Sequence, residues 1–534
     1  MLFKILLYRM KIVDCFTFYN ELDLLYYRLA ALYDYVDYFI LIEANITFAG
    51  HTKPTYYINN MHLFEKYRNK IIHMVADLPF KYPDIDYAKR DQWKNEYFQR
   101  NCIKECAQLE QVGLSKDDLV IISDLDEIID PQRLPEFRNG QLLTYKGFTL
   151  SQDMYYYNLH CKNTWFWSKA KIVTYEYLLQ KTPEEIRQSD LPLLEKGGWH
   201  LSYFGDVAFI RNKLNEFSHQ EYNSPEYTDE NIITQRLENG VDLFGRDYVH
   251  MTHFPINQNP YLPPLYNVYL NNYIRNNDTL TTIPIYVYYH LCCIANWRTI
   301  FSRMMFKLKN SGLYKLINAI RITVLGNARK NRSLKNEDSS HIFRSFTEEN
   351  EYDPTDPLFN DPKIQIRFYS QDTSLYERPA LNNMIEDAQT EEFYVLYLHS
   401  KGVKHVTDIT MSKYVYDWSE YMFYFNMYNH ARCITELNNE ASAVGCNLQE
   451  RGAPLHFSGN FWWSKSSHIK NLPKIVDTYY NTPEFLVTSI DGIYKSMWHS
   501  EINHYYTPYP ANMYENKPIT IHKIERKCGG VYYD

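Results

Sequence analysis

Three carboxylates fall within four residues at Asp124-Leu125-Asp126-Glu127, directly after the apolar run Val120-Ile121-Ile122. Two carboxylates held one residue apart repel by roughly a few kcal/mol at an effective dielectric of about 20. A divalent cation relieves that repulsion. Mg²⁺ and Mn²⁺ take one or two carboxylates and fill their other positions with water and substrate phosphates. The chemistry on offer is therefore neutralisation of a diphosphate at a metal site. A solvated acidic turn after a strand is the plain alternative, and D-x-D alone does not separate the two.

The element that must position these acids is a strand. Residues 119–123 are short, apolar and β-branched, bounded by Asp118 and Pro131, which predicts a buried parallel strand. Ligands of open α/β sheets sit outside the carboxyl ends of such strands. Strand alternation would point Asp124 and Asp126 to one side, with Leu125 between them. Upstream, residues 11–18 read as a strand that breaks at Asn20-Glu21, where Asn20 can cap a helix. Leu22, Leu25, Leu29 and Leu32 follow at helical spacing, then come strands at 38–44 and 71–75 and a helix at 92–109. The order β-α-β-β-α-β predicts a parallel, doubly wound sheet.

A chain of 534 residues is too long for one ordinary core, so two large domains are expected, at 1–278 and 279–534. The net charge of −8, with no Lys/Arg block, argues against a nucleic-acid partner. Nine cysteines without a C-x-x-C pair fit reduced thiols and a cytoplasmic location. The N-terminus has a short apolar start without a long h-region, and reads as a leader into the first strand. No run of about 18 uncharged apolar residues predicts a membrane span. Fifty tyrosines offer sugar-stacking surface, although for any single one a structural role is the default.

Five segments in order, DCFTFYNELDLLYYRL, FILIEANITFAG, IISDLDEI, RQSDLPLLEKGGWHLSYFG and FSHQEYN, together resemble glycosyltransferase family 17, over roughly residues 10 to 250. That family includes β-1,4-mannosyl-glycoprotein β-1,4-N-acetylglucosaminyltransferases. The resemblance implies a GT-A fold, a UDP-sugar donor, Mn²⁺ or Mg²⁺ and inversion at the anomeric carbon. It maps Asp124 and Asp126 onto the family's D-x-D, Glu127 onto the acid after it, and Trp199, His200 and Ser202 onto its G-W-H-x-S. His219 matches a histidine of one branch. The partners implied are a nucleotide sugar and a glycan or glycoprotein acceptor; the membrane anchor and lumenal cysteines of animal members are not found in this sequence, which argues against a Golgi glycoprotein.

A nucleotide diphosphate is a leaving group whose growing negative charge must be neutralised, and a metal on Asp124 and Asp126 would do so. His200, and after it His219, would complete the metal's ligands. A hydrogen-bonded structural role is the alternative for each. Glu43, at a strand end, could meet the base or ribose, or be a satisfied loop carboxylate. Arg100 and Arg187 are candidate phosphate ligands, because a guanidinium binds phosphate bidentately, or else surface ion pairs. Inversion also needs a base near the acceptor hydroxyl. Glu127, Asp153, Asp206 and Glu216 are all open to that role, with Glu127 and Asp126 taken as the catalytic pair.

Four prolines near 253–265 mark a non-helical connector, and a second α/β pattern begins at 283. Strands are expected at 283–289, 320–325, 364–369, 393–398 and 443–445, helices at 296–313 and 413–437, and a polar surface insertion at about 327–362. YVLYLHSKG and HFSGNFWW make this half similar to the second, glycosyltransferase-like region of some polysaccharide-pathway enzymes. The fold expected is thus α/β, two GT-A-like domains with Rossmann-like, mostly parallel sheets in tandem. No D-x-D follows a buried strand here, so a second transferase in this half would work without a metal, with Lys401 and His399 meeting the donor phosphate. Asn460, Trp462 and Trp463 are candidate acceptor contacts, indole faces being suited to sugar C–H surfaces, against the plain reading that they are core. A non-catalytic acceptor-binding module is the alternative for this half, and a lectin-like glycan-binding protein or a phosphohydrolase for the whole chain.

Overall fold

The computed structural model describes residues 9–142, 146–274, 283–327, 351–403, 408–450 and 453–527. The chain divides into two compact units, Met1–Arg275 and Asn276–Asp534.

The N-terminal unit is built on strands β1 (Ile12–Thr17), β2 (Tyr38–Ala44), β3 (Ile71–Ala76), β4 (Leu119–Asp124), β5 (Glu127–Ile129), β6 (Gly147–Tyr156), β7 (Cys161–Trp167), β8 (Lys171–Thr174), β9 (Leu193–Ser202) and β10 (Met251–His253). Their order is β10-β7-β6-β8-β4-β1-β2-β3, with β9 pairing both β5 and β6. The four strands β3, β2, β1 and β4 are mutually parallel, as the apolar runs predict; β1, β2 and β4 are buried, and β3, at the sheet edge, is half-buried. Helix α1 (Leu22–Leu32) buries Leu25, Leu29 and Leu32. Its N-cap is Glu21, without a side-chain cap, so Asn20 does not fill the capping role expected of it. Helix α2 (Asp91–Ala107) packs Cys102, Ile103 and Cys106 on Val13, Ile40, Ile42, Val120 and Ile122. Beyond β4 the sheet is not parallel: β8 runs antiparallel to both β4 and β6. Short helices α3 (Pro183–Arg187) and α4 (Val207–Glu216) complete the parts that reach the acid cluster.

The C-terminal unit contains β11 (Ile285–Cys292), β12 (Ala319–Leu325), β13 (Ile364–Ser370), β14 (Tyr394–His399), β15 (Ala443–Gly445), β16 (Leu448–Gln449), β17 (His456–Phe457), β18 (Trp462–Lys465), β19 (Gly492–Ser496) and β20 (His522–Arg526). The main sheet runs β13-β12-β11-β14-β18-β15-β19-β20, and β16 pairs only with β17. Again the first four strands of the unit are parallel in the order third, second, first, fourth, followed by an antiparallel strand, here β18. Both units are therefore mixed α/β, with a Rossmann-like parallel half.

Helix α5 (Trp297–Asn310) and helix α6 (Arg378–Asp387) flank this sheet. The single long helix expected at 413–437 is two, α7 (Ile409–Phe423) and α8 (His430–Asn439), joined by a π turn at Tyr424–Tyr428. Asn426 Nδ2 donates to the carbonyl of Met422, and Asn429 Nδ2 to that of Tyr424. Side-chain amides taking helix carbonyls disturb the regular ladder at this point. Of the expected polar insertion, 328–350 lies outside the described residues. Residues 351–362 lie at the surface and are anchored by two buried aromatics: Phe359 packs on Trp297 and Phe301, and Tyr352 stacks on Tyr369.

Candidate functional site

The acid cluster lies where parallel strands end. β4 finishes at Asp124, the chain turns at Leu125-Asp126, and β5 begins at Glu127. Asp124 and Asp126, expected on one side of the strand, sit at a turn and have separate partners. Arg28 of α1 fixes the turn from below. It is fully buried and forms a two-bond pair with Asp14, Nε to Oδ2 at 2.8 Å and Nη2 to Oδ1 at 2.5 Å. Its Nη1 donates to the carbonyls of Asp124 (2.8 Å), Leu125 (3.0 Å) and Glu127 (3.1 Å), and Nη2 to Ser123 Oγ (2.6 Å). Three carbonyls of a tight turn thus converge on one guanidinium, a geometry that suits its fixed fork of donors.

Asp124 is gripped by two arginines. Arg187 Nη2 donates to Oδ2 at 2.6 Å, Arg100 Nη2 to Oδ1 at 3.2 Å, and Thr17 Oγ1 reaches Oδ1 at 3.3 Å. Burial would raise this carboxyl, but Arg187 and Arg100 outweigh it and hold its pKa below the usual carboxylate value. Arg187 comes from α3, whose start is fixed by a capping box between Thr182 and Glu185. Arg100 comes from α2 and also pairs with Glu96 and Glu184. Neither arginine is a surface ion pair.

Glu127 is 1% exposed and fully engaged. It accepts both Nη1 (2.7 Å) and Nη2 (2.6 Å) of Arg187, Trp167 Nε1 at 2.5 Å, and the backbone N–H of Asp124 at 2.9 Å. This corrects its expected role as the base, since no lone pair faces an open space. Glu127 is an anchor that orients Arg187.

Asp126 meets a different set of partners. Its Oδ1 is 3.6 Å from His200 Nε2 and its Oδ2 is 3.2 Å from Lys213 Nζ. Burial raises this carboxyl, yet Lys213 and His200 more than compensate and keep it ionised far into acid. His200 is brought here by register, since Glu127 lies opposite His200 across the β5–β9 ladder. That ladder needs Gly198, whose φ is +130°: a Cβ there would come within 2.0 Å of Ile128 O. Trp167 packs against the His200 ring at 4.6 Å between centroids. Among the described residues no group of three or more His, Cys, Asp or Glu side chains is placed to hold a metal by itself. Asp126 and His200 do form a carboxylate–imidazole pair, a donor set that fits a cation completing its shell with phosphate oxygens and water.

The other expected residues go elsewhere. Glu43 is buried and accepts from the backbone N–H groups of Tyr57 and Ile58 and pairs with His73 Nε2 at 2.8 Å, so it is the satisfied carboxylate rather than a ribose contact. His219 pairs with Glu221 at 2.7 Å and packs on Trp93 at 4.5 Å, so it is not grouped with the aspartates as a metal ligand. It lines a cavity of about 760 Å³ with Tyr87, Arg90, Trp93, Gln220 and Glu221. Trp93 and Arg100 both lie on α2, seven residues or about two turns apart. Of the remaining base candidates, Asp153 pairs with Lys162, Asp206 caps α4, and Glu216 accepts from Thr47 Oγ1 and pairs with His51.

Sequence reasoning missed Arg28 and Lys213. Arg28 interrupts the leucine spacing of α1 on its buried side, which marks a charge needing a buried partner. Lys213 carries no motif. It reaches Asp126 only because α4 runs past the end of β9.

In the C-terminal unit Trp462 and Trp463 are 0% exposed. Trp462 Nε1 donates to Asn460 Oδ1 and Trp463 Nε1 to Asn426 O, each at 2.8 Å. They are core residues of β18, which removes them as a sugar platform, and Asn460 is buried with them, its Nδ2 on Glu377 at 2.6 Å. The FWW run alternates no polar residue into solvent because β18 is an interior strand covered on both sides. His399 closes β14, with Nε2 3.0 Å from Gly459 O. Lys401 follows it, with Nζ 3.7 Å from the ring centre of Trp418.

The family model of glycosyltransferase family 17 matches residues 3–251. That span holds the whole acid-and-arginine cluster and supports a glycosyltransferase. No curated protein matches the chain. Among solved structures, the glycosyltransferase GlyE of Streptococcus pneumoniae TIGR4 shows 10% identity over 70% of this chain and 83% of that one, with a TM-score of 0.19, a likeness too slight to carry weight. No described helix is long and apolar enough to cross a membrane.

Proposed function

We infer that the N-terminal unit transfers a GlcNAc-like sugar from a UDP-sugar to a hydroxyl of a glycan acceptor, with inversion. The observation that carries this reading is the convergence of Arg100, Arg187 and Lys213 on the Asp124–Asp126 turn, at the carboxyl edge of a parallel sheet. Three fixed cations beside two ionised carboxylates suit a diphosphate that gains charge as the glycosidic bond breaks. Asp126 and His200 would hold Mn²⁺ or Mg²⁺, whose remaining positions go to phosphate oxygens and water and which supplies Lewis-acid neutralisation of the leaving diphosphate when bound. Arg187 and Lys213 can then turn from the aspartates to phosphate oxygens. Glu127 and Trp167 keep Arg187 and His200 oriented while they do so. The cavity beside Trp93 and Tyr87 is the place for an acceptor sugar, since aromatic faces pack on sugar C–H surfaces and α2 connects it to Arg100. Asp124, held ionised and in one orientation by Arg187 and Arg100, supports the enzyme over a lectin.

Calorimetry of the full chain with UDP, in Mn²⁺ and in EDTA, tests the reading. Binding that requires the metal supports it. Equal affinity in both buffers removes the metal's role, and no binding in either removes the UDP-sugar donor.

A further inference from the structure

The carboxyl edge of the C-terminal sheet repeats the position of the acid turn with the opposite charge. In the N-terminal unit the β1–β4 ladder closes on Thr17 opposite Asp124, and Asp126 lies two residues further on. In the C-terminal unit the β11–β14 ladder closes on His290 opposite His399, and Lys401 lies two residues further on. The flanking strand order is the same in both. Asp-Leu-Asp in one unit is therefore His-Ser-Lys in the other.

The surroundings of Lys401 suit an anion. Its Nζ lies over the rings of Trp418 (3.7 Å) and Tyr505 (5.9 Å), and no ion pair or hydrogen bond of this ammonium occurs among the described residues. Glu484 and Glu377 pull on it without contact, and burial still lowers its pKa. His399 and His290 are driven by burial to about 3 and about 4, so both are neutral near pH 7 and Lys401 is the fixed positive charge. Three buried polar atoms nearby, Trp418 Nε1, His504 Nδ1 and His290 Nδ1, have no hydrogen-bond partner. Each such atom has given up its hydrogen bond to water without a replacement, and a polar ligand would supply one. Trp418 is stacked on His504 at 5.2 Å, which fixes the wall behind the ammonium. Tyr505, 41% exposed, stands edge-on to Trp418 and offers an aromatic surface to a base or a sugar ring. Glu377 accepts from Tyr397 and Asn460 through one oxygen, Oε2.

We propose that this edge is a second nucleotide-sugar site, in which the Lys401 ammonium takes the diphosphate without a divalent ion. A lysine is a point charge suited to this task. The site is independent of the reading given for the N-terminal unit, and its test separates the two.

The full chain is titrated calorimetrically with UDP, GDP and dTDP in turn, in EDTA. One of the three is expected to bind, with an affinity that Lys401→Met lowers at least tenfold, Lys401→Arg largely retains and Asp126→Asn leaves unchanged. Hydrogen exchange of the unmutated chain should show ligand protection at residues 394–403, which decides the matter even if Lys401→Met does not fold. The proposal is overturned if none of the three binds in EDTA. It is equally overturned if a folded Lys401→Met chain binds as well as the original, or if protection appears only at 119–129. Metal-dependent UDP binding that Asp126→Asn abolishes belongs to the N-terminal unit and leaves this outcome untouched.

Discussion

Arg187→Met should destabilise the N-terminal unit by about 3–5 kcal/mol, the range found when one partner of a buried ion pair is removed. The size follows from what is left behind. Glu127 keeps Trp167 Nε1 and the Asp124 N–H but loses both bonds to a cation, and it remains 1% exposed. Asp124 suffers less, because it keeps Arg100 and its side chain is 32% exposed. Amide hydrogen exchange along β4 reads the result directly, since these central-strand amides open only with the unit. Each 1.4 kcal/mol is a factor of ten, so exchange should accelerate by roughly two to four powers of ten. Adding Glu127→Gln removes the stranded charge and should recover more than half of the loss. Unchanged exchange in Arg187→Met, or a double variant no better than the single one, would refute the claim that Glu127 anchors this arginine.

Acid should weaken the C-terminal unit first. His290, His430 and His504 fall by burial from 6.5 to about 4, so the unfolded chain binds more protons between those values. Their stabilisation is complete above pH 6.5 and is lost as pH falls toward 4, about 2 kcal/mol each at pH 5. Scanning calorimetry at pH 7 and pH 5 should show the endotherm of this unit moving down. The N-terminal unit should change little, because Asp124 and Asp126 have lowered pKa values and stay ionised. Gly198→Ala should prevent the β5–β9 ladder from forming and lose nucleotide binding with structure, visible in the circular dichroism and exchange of 127–129. Trp463→Ala should cost about 3–5 kcal/mol as a core cavity and should not act as a selective loss of glycan binding, which denaturation and binding measured together can tell apart.

The parallel half of each sheet is legible in the sequence because strands buried on both faces read as continuous apolar runs, as at Phe39–Ile42 and Tyr394–Leu398. The antiparallel half is less so. β8 is four residues long and carries no pattern of its own, and its direction is set by the partner it meets. The acid turn is legible as chemistry but not as geometry, because a turn of two residues between β4 and β5 gives Asp126 partners of its own, Lys213 and His200, while Asp124 meets Arg100 and Arg187. Arg28 and Lys213 are distant in sequence from the acids they serve, and only packing of α1 and α4 brings them there. Trp462 and Trp463 invite a surface role by residue type. Their burial follows from β18 lying between β14 and β15, which no local signal reveals.

The measurement that tests the central claim most directly is nucleotide release from a panel of UDP-sugars by the full chain in Mn²⁺, compared with an Asp126→Asn chain of equal stability. Release of UDP with a glycan acceptor that falls at least a hundredfold in the variant is the predicted result. Equal release by the variant, or no release from any UDP-sugar in the panel, would contradict it.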